Sequence, residues 1–269
     1  MVKNFIQKEY QLYSSKISMS GNVPVMVMLS DLHNHSFGTD NSHLLREIEL
    51  LQPDGILIGG DMIIGKSGYS VDTACTLIRR ISSVAPVFHA MGNHEYRMKY
   101  HPQGMTPEYR EYEQVLREEN VTLLDNAVAS VTLQGTKFSI YGLSLPQACY
   151  KKFRYQHADC SDIQQLIGQA DASSYQILMA HNPRFALSYF DWGADLTVSG
   201  HYHGGMLRLG KRGVISPYFT LFPPYSYGRF EQDGKIMLVS AGMGEHTIPL
   251  RLFNPRELLV LRFYPLEEK

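Results

Sequence analysis

The sequence predicts an α/β fold whose ligand-type side chains collect at the carboxyl ends of its strands. Three observations carry this reading. Short apolar runs alternate with segments whose apolar residues recur at helical spacing, the pattern of buried strands joined by amphipathic helices. Five of the runs are followed closely by Asp, Asn or His, and open α/β sheets bind ligands beyond the carboxyl ends of their strands. From Val128 onward the texture becomes that of a hairpin, which adds antiparallel pairing to the parallel units.

Each element follows from its own pattern. Val23 to Leu29, bounded by Gly21 and Asp31, is a near-continuous apolar run, as in a strand buried on both faces, with Asp31 and His33 at its mouth. Leu44, Leu45, Ile48 and Leu51 share a helical face; Asp40 or Asn41 can cap the start and Pro53 ends it. The short strand Ile56-Leu57-Ile58 delivers Asp61 through Gly59 and Gly60. A helical stripe of Val71, Cys75, Ile78 and Ile81 precedes a strand that begins at Val87-Phe88 and leads to Asn93 and His94. From Pro107 to Asn120 a helix turns Tyr109, Tyr112, Val115 and Leu116 inward. Val128 to Leu133 and Lys137 to Tyr141, joined by a Gln134-Gly135 turn, read as an antiparallel pair. Ile177 to Ala180 then delivers His181, and Leu196 to Ser199 delivers His201 and His203. The last strands are Ile236 to Ser240 and Leu258 to Phe263. The segment 217–230 holds three prolines, three tyrosines and three phenylalanines and reads as an ordered loop against the rim of a site.

Composition narrows the function. A chain of 269 residues, 44% hydrophobic, can bury a sizeable core, and because the ligand segments span Asp31 to His203, residues 1–269 are expected to form a single domain. Twenty-five basic and 26 acidic residues, with no basic tract, argue against polymeric nucleic acid as the substrate. Cys75, Cys149 and Cys160 are odd in number and lack C-x-x-C spacing, so no disulfide or cysteine metal site is expected and the compartment reads as reducing. No apolar run approaches the roughly 20 residues of a membrane span, and the opening residues have no signal-peptide core. A cytoplasmic location is expected, with peripheral attachment to a membrane surface, or an anchor outside the given sequence, as the variant.

The five ligand segments read Asp31-Leu32-His33, Gly59-Gly60-Asp61, Gly92-Asn93-His94-Glu95, His181-Asn182-Pro183 and Gly200-His201-Tyr202-His203. Singly, each is as well explained by a strand-end cap or a polar turn. Together, in this order, they resemble the calcineurin-like metallophosphoesterase superfamily, whose motifs run D-x-H, G-D, G-N-H-(E/D), H and G-H-x-H. With Ser30 to Asn34, Ser199 to Gly205 and Leu252 to Glu257, the chain is most similar to the bacterial YkuE- and YaeI-like phosphodiesterase branch. The resemblance implies a four-layer α/β/β/α sandwich, two mixed β-sheets flanked by helices, the metallo-dependent phosphatase fold. It also implies two divalent ions, one held by Asp31, His33, Asp61 and His203, the other by Asp61, Asn93, His181 and His201, with Asp61 bridging.

Carboxylate, amide and imidazole donors suit Mn²⁺, Fe or Zn²⁺. A bridge needs the two oxygens of a carboxylate, and the glycines before Asp61 allow close approach of backbone. His94 is the non-ligand histidine of the motif, placed by the resemblance to steady a phosphoryl oxygen or protonate the leaving oxygen, a task suited to a pKa near neutrality. The activity implied is hydrolysis of a small phosphodiester or phosphomonoester by metal-bridging hydroxide, phosphodiesters being favoured. The alternatives are a pyrophosphatase acting on a nucleotide-linked lipid of the UDP-diacylglucosamine type and a non-catalytic metal-binding scaffold. Glu95 reads equally as an orienting partner of His94 or a solvated carboxylate. His35 reads as surface, His89 as a satisfied core residue, His246 as part of a turn after Gly242 and Gly244, and Arg184 as a surface ion-pair partner or a phosphate ligand. For the aromatic loop, packing over the sheet edge is the plain reading.

Overall fold

The structure is a computed structural model, and it describes residues 5–18, 20–205, 207–210, 212–216, 218–245 and 251–266. The chain runs β1 (Phe5–Ser14), β2 (Val25–Leu29), α1 (Ser42–Leu51), β3 (Gly55–Ile58), α2 (Asp72–Ile81), β4 (Val87–Ala90), α3 (Asn93–Lys99), α4 (Pro107–Glu118), β5 (Thr122–Leu124), β6 (Ala127–Leu133) and β7 (Thr136–Leu143). It continues through α5 (Cys160–Ile167), β8 (Tyr175–Ala180), α6 (Ala186–Trp192), β9 (Leu196–Ser199), β10 (Arg208–Leu209), β11 (Arg212–Gly213), β12 (Gly228–Gln232), β13 (Lys235–Val239) and β14 (Arg256–Pro265).

Two six-stranded sheets result, ordered β1-β14-β2-β3-β4-β5 and β12-β13-β9-β8-β7-β6. Both are mixed. In the first, β14 is antiparallel to β2 while β2, β3, β4 and β5 are parallel; in the second, β12 and β6 are the antiparallel edges of a parallel β13-β9-β8-β7 core.

The near-continuous apolar runs are explained by burial on both faces. In β2, Val27 and Leu29 pack under the helices while Met26 and Met28 face the second sheet. In β8, Ile177 and Met179 face the first sheet while Leu178 and Ala180 lie under α5 and α6. Alternate residues of each strand therefore feed two cores, a sheet-to-sheet core and a helix-to-sheet core, which is the four-layer arrangement the sequence implies. Gln134 and Gly135 both take positive φ, 49° and 78°, as a two-residue hairpin turn requires.

The sequence reading lacked β1, α5 and α6, and of these β1 is stabilised from afar. Strand β1 pairs in parallel with β14 over ten residues, from Phe5 with Arg256 to Ser14 with Pro265. Its alternating and mostly exposed pattern carries little local signal. The segment 217–230 is not loop throughout, because its last three residues open β12. Asn41 occupies the cap position of α1, yet its Oδ1 accepts from the Phe37 amide rather than from the helix.

Candidate metal centre

The five segments converge at one edge of the sandwich. Asp31 follows β2, Asp61 follows β3, Asn93 opens α3 after β4, His181 follows β8, and His201 and His203 follow β9. Asp31, His33, Asp61, His201 and His203 all take left-handed φ between 45° and 64°, a conformation that costs a non-glycine residue about 1–3 kcal/mol at such sites. Backbone bonds between neighbouring loops hold it: Asp31 N donates to Gly60 O, His33 N to Asp61 O and Asn34 N to Met62 O, all within 2.8–3.1 Å. Gly60 (φ 89°) and Gly92 pass so close that a Cβ on Gly60 would lie 2.3 Å from Gly92 N, and one on Gly92 would lie 2.1 Å from Asp61 Oδ1. The paired glycines thus bring the backbone to the site as their sequence suggests.

Asp61 lies at the centre. Its Oδ1 accepts from the His94 amide at 2.8 Å, and its Oδ2 is 3.1 Å from His181 Nε2, 3.8 Å from His33 Nε2 and 4.0 Å from His94 Nε2. Asp31 Oδ1 is 3.4 Å from His203 Nε2 and accepts from the His201 amide at 2.9 Å, while Ser30 Oγ donates to its Oδ2 at 2.7 Å. His33 Nε2 and His203 Nε2 stand 3.2 Å apart. Three overlapping groups have ligand atoms close enough to share an ion: Asp31, His33 and His203; His33, Asp61 and His94; and Asp61, His181 and His201. His94 is therefore geometrically able to be a ligand as well.

The electrostatics are those of a site built for cations. Burial resists ionisation of Asp61, but His181 and His94 outweigh it and hold the carboxyl well below the usual range. His181, although burial opposes its charge, is lifted to about 10 by Asp61 and Asp31, and burial pushes His33 down to about 4. His181 Nδ1 lies 2.7 Å from Gly59 O, which fixes the ring with Nε2 facing Asp61. Nε2 of His181 faces Asp61 Oδ2 at 3.1 Å, and Oδ1 of Asn93 is buried without a hydrogen-bond partner among the described residues. An unpartnered amide oxygen beside carboxylates and imidazoles fits a divalent cation.

Glu95 is not the solvated carboxylate that one sequence reading offered. It is fully buried, and its carboxylate accepts from the amides of Asp61 (2.8 Å), Met62 (2.7 Å), Ile63 (3.3 Å) and Gly92 (3.1 Å). Burial and the Asp61 charge raise its pKa to about 7. It ties the Asp61 loop to the start of α3. Glu95→Ala would leave these buried donors unsatisfied, and a loss of about 3 kcal/mol or more is expected in urea unfolding; a change under about 1 kcal/mol would show that the clamp does not stabilise the fold.

Around the ligands lie residues the motifs do not reveal. Tyr218 is buried, with its hydroxyl 2.7 Å from His201 Nε2 and accepting from Asn182 Nδ2 at 3.1 Å. Its place in the aromatic loop was the signal; its contact with a candidate ligand was not legible. Arg184 forms no ion pair among the described residues and stacks on Tyr218 and Tyr155, its guanidinium carbon 3.3 and 4.0 Å from the ring centroids. Arg251 approaches His203 Nδ1 at 3.2 Å, and Asn254 Nδ2 donates to His203 O and Gly205 O. Gly244 N donates to Asp31 O, so this glycine turn braces the first ligand loop. His246 lies outside the described residues. His35 is half-buried against Phe37, and His89 is buried in the core with its Nε2 bonded to the Tyr112 hydroxyl. A cleft of about 300 Å³ opens over the site, with His33, Asp61, His94, His201 and His203 on its floor and Lys66, Tyr69 and Glu245 on its walls.

A two-sheet sandwich with imidazoles, carboxylates and an amide gathered at the strand ends defines the class of metal-dependent phosphohydrolases. The chain belongs to the calcineurin-like phosphoesterase family, whose model matches residues 25–205. It is 28% identical over 263 residues to a metallophosphoesterase of Helicobacter pylori (strain J99), covering 96% of this chain and 64% of that protein. It is 25% identical over 158 residues to the phosphodiesterase YaeI of Escherichia coli (strain K12), covering 59% of this chain and 52% of that one. The chain thus spans less than two-thirds of the length of these relatives. In fold it is similar to a 5'-nucleotidase described from Staphylococcus aureus, with a TM-score of 0.50 at 16% identity over 82% of this chain and 49% of the other. Among the described residues no helix is long and apolar enough to cross a membrane.

Proposed function

We propose that the chain, as one domain, is a divalent-metal-dependent phosphoesterase that favours phosphodiesters. Asp31, His33, Asp61 and His203 would hold one ion, and Asp61, Asn93, His181 and His201 the other. The observation that carries this reading is the position of Asp61 Oδ2, 3.8 Å from His33 and 3.1 Å from His181, within reach of one histidine of each set. Two ions held there would neutralise phosphoryl charge and lower the pKa of water toward ~7, supplying the nucleophile; the mixed oxygen and nitrogen donors suit Mn²⁺, Fe or Zn²⁺.

The residues of the chain do the remainder. The Gly65 amide donates to His94 Nδ1 at 2.8 Å, so neutral His94 carries its proton on Nε2, the atom that faces Asp61 and the cleft. From there it can donate to a phosphoryl oxygen or pass the proton to the leaving oxygen. Tyr218, through His201, and Asn254, through the backbone after it, keep the last ligand segment in place.

The test is hydrolysis of bis-p-nitrophenyl phosphate by metal-stripped protein with and without Mn²⁺. Release that depends on added metal is expected. No release from protein that binds two ions per chain would overturn the diesterase reading and leave the monoesterase, the pyrophosphatase acting on a nucleotide-linked lipid, or the scaffold.

A further inference from the structure

Beside the metal cleft the surface is apolar and basic at once. Phe153 is 86% exposed, Phe219 60%, Phe222 57% and Leu221 65%. They belong to two loops that meet, because Lys152 Nζ sits 4.3 Å over the Phe219 ring, and Arg184 stacks between Tyr155 of one loop and Tyr218 of the other. The neighbouring turn adds Leu252 and Phe253, 46% and 82% exposed, and is joined to the second loop by the bridge of Leu207 to Leu252 and the bond from Val214 N to Leu207 O. Patches of this kind are uncommon on soluble monomers and mark interaction sites.

Charge identifies the partner. Arg229 pairs with Glu231, and Arg251 and Arg256 with Glu245, so the free positive charge of this face lies on the loop that carries Phe153. Arg208 and Arg251 are largely turned inward, but Lys151, Lys152 and Arg154 are exposed around Phe153. Two copies joined through this loop would set its three cations against each other. Bases could stack on the phenylalanines, but the aliphatic Leu221 and Leu252 have no part in stacking and do suit a hydrocarbon boundary. Phenylalanine and leucine flanked by lysine and arginine are the composition that enters the headgroup region of an anionic bilayer.

We propose that this face docks the protein on an anionic phospholipid surface, with Phe153, Phe219 and Phe222 entering the interface and Lys151, Lys152 and Arg154 pairing with lipid phosphates. Tyr218, adjacent to Phe219, bonds His201, so docking sets the mouth of the cleft beside the headgroups. The inference concerns binding alone and stands apart from the diesterase reading.

The test is cosedimentation of the whole chain with vesicles of phosphatidylcholine alone and of phosphatidylcholine with phosphatidylglycerol. Binding to the anionic vesicles is expected, weakened at least tenfold by the triple change Phe153→Ser, Phe219→Ser, Phe222→Ser and by Lys151→Glu, Lys152→Glu, Arg154→Glu, with the melting temperature of each variant within a few degrees of wild type. Indifference of wild type to anionic vesicles, equal binding by either stably folded variant, or a face that instead binds single-stranded DNA or dimerises in sedimentation would each overturn the proposal.

Discussion

Asp61→Ala is expected to abolish retention of both ions and to lower metal-dependent diester hydrolysis by about three orders of magnitude or more. The size follows from position. Oδ2 of Asp61 is the nearest carboxylate oxygen to His181, and it also faces His33 and His94, so its removal takes a charge from both ion sets at once. The same carboxylate accepts the His94 amide at 2.8 Å, so the start of α3 loses an anchor as well. Metal content after dialysis, read by elemental analysis beside wild type, is the decisive measurement. A variant that keeps both ions and activity within tenfold would remove Asp61 from the bridging role.

His94→Ala has the second largest expected effect, and its signature is opposite. Turnover should fall by about 10²–10⁴, the usual worth of a positioned acid or base, while metal content stays near wild type. His94 Nδ1 is occupied by the Gly65 amide and Nε2 lies 4.0 Å from Asp61 Oδ2, farther than either His181 or His33. These distances put it beside the candidate ligands, with Nε2 turned to the cleft that Asp61 also lines. Because His94 also lies within reach of a shared ion with His33 and Asp61, metal analysis separates the two roles. Loss of an ion along with turnover would make it a ligand.

Much of the site was legible because its residues sit where local sequence is most regular. Strands β2, β3, β8 and β9 are short, largely apolar runs that stop abruptly at Ser, Gly or His, and the residues after the run mark the sheet edge. Glu95 shows the opposite case. Its side chain is read locally as a neighbour of His94, but three of its four amide partners are Asp61, Met62 and Ile63, contacts that exist only after β3 and β4 pair. Tyr218 is similar: a tyrosine in an aromatic loop has no preferred partner until β9 and that loop are packed together.

The sequence by itself determined the alternation of buried strands and amphipathic helices, the hairpin at Gln134-Gly135 and the set of side chains able to hold metal, because periodicity, turn chemistry and ligand chemistry are properties of nearby residues. The tertiary structure alone decided that β1 runs beside β14, that Glu95 is a buried clamp, and that Phe153 shares a face with Phe219 and Phe253. Those facts depend on which distant segments meet, and the energy that brings them together comes from burial of two cores shared by both sheets rather than from any local pattern.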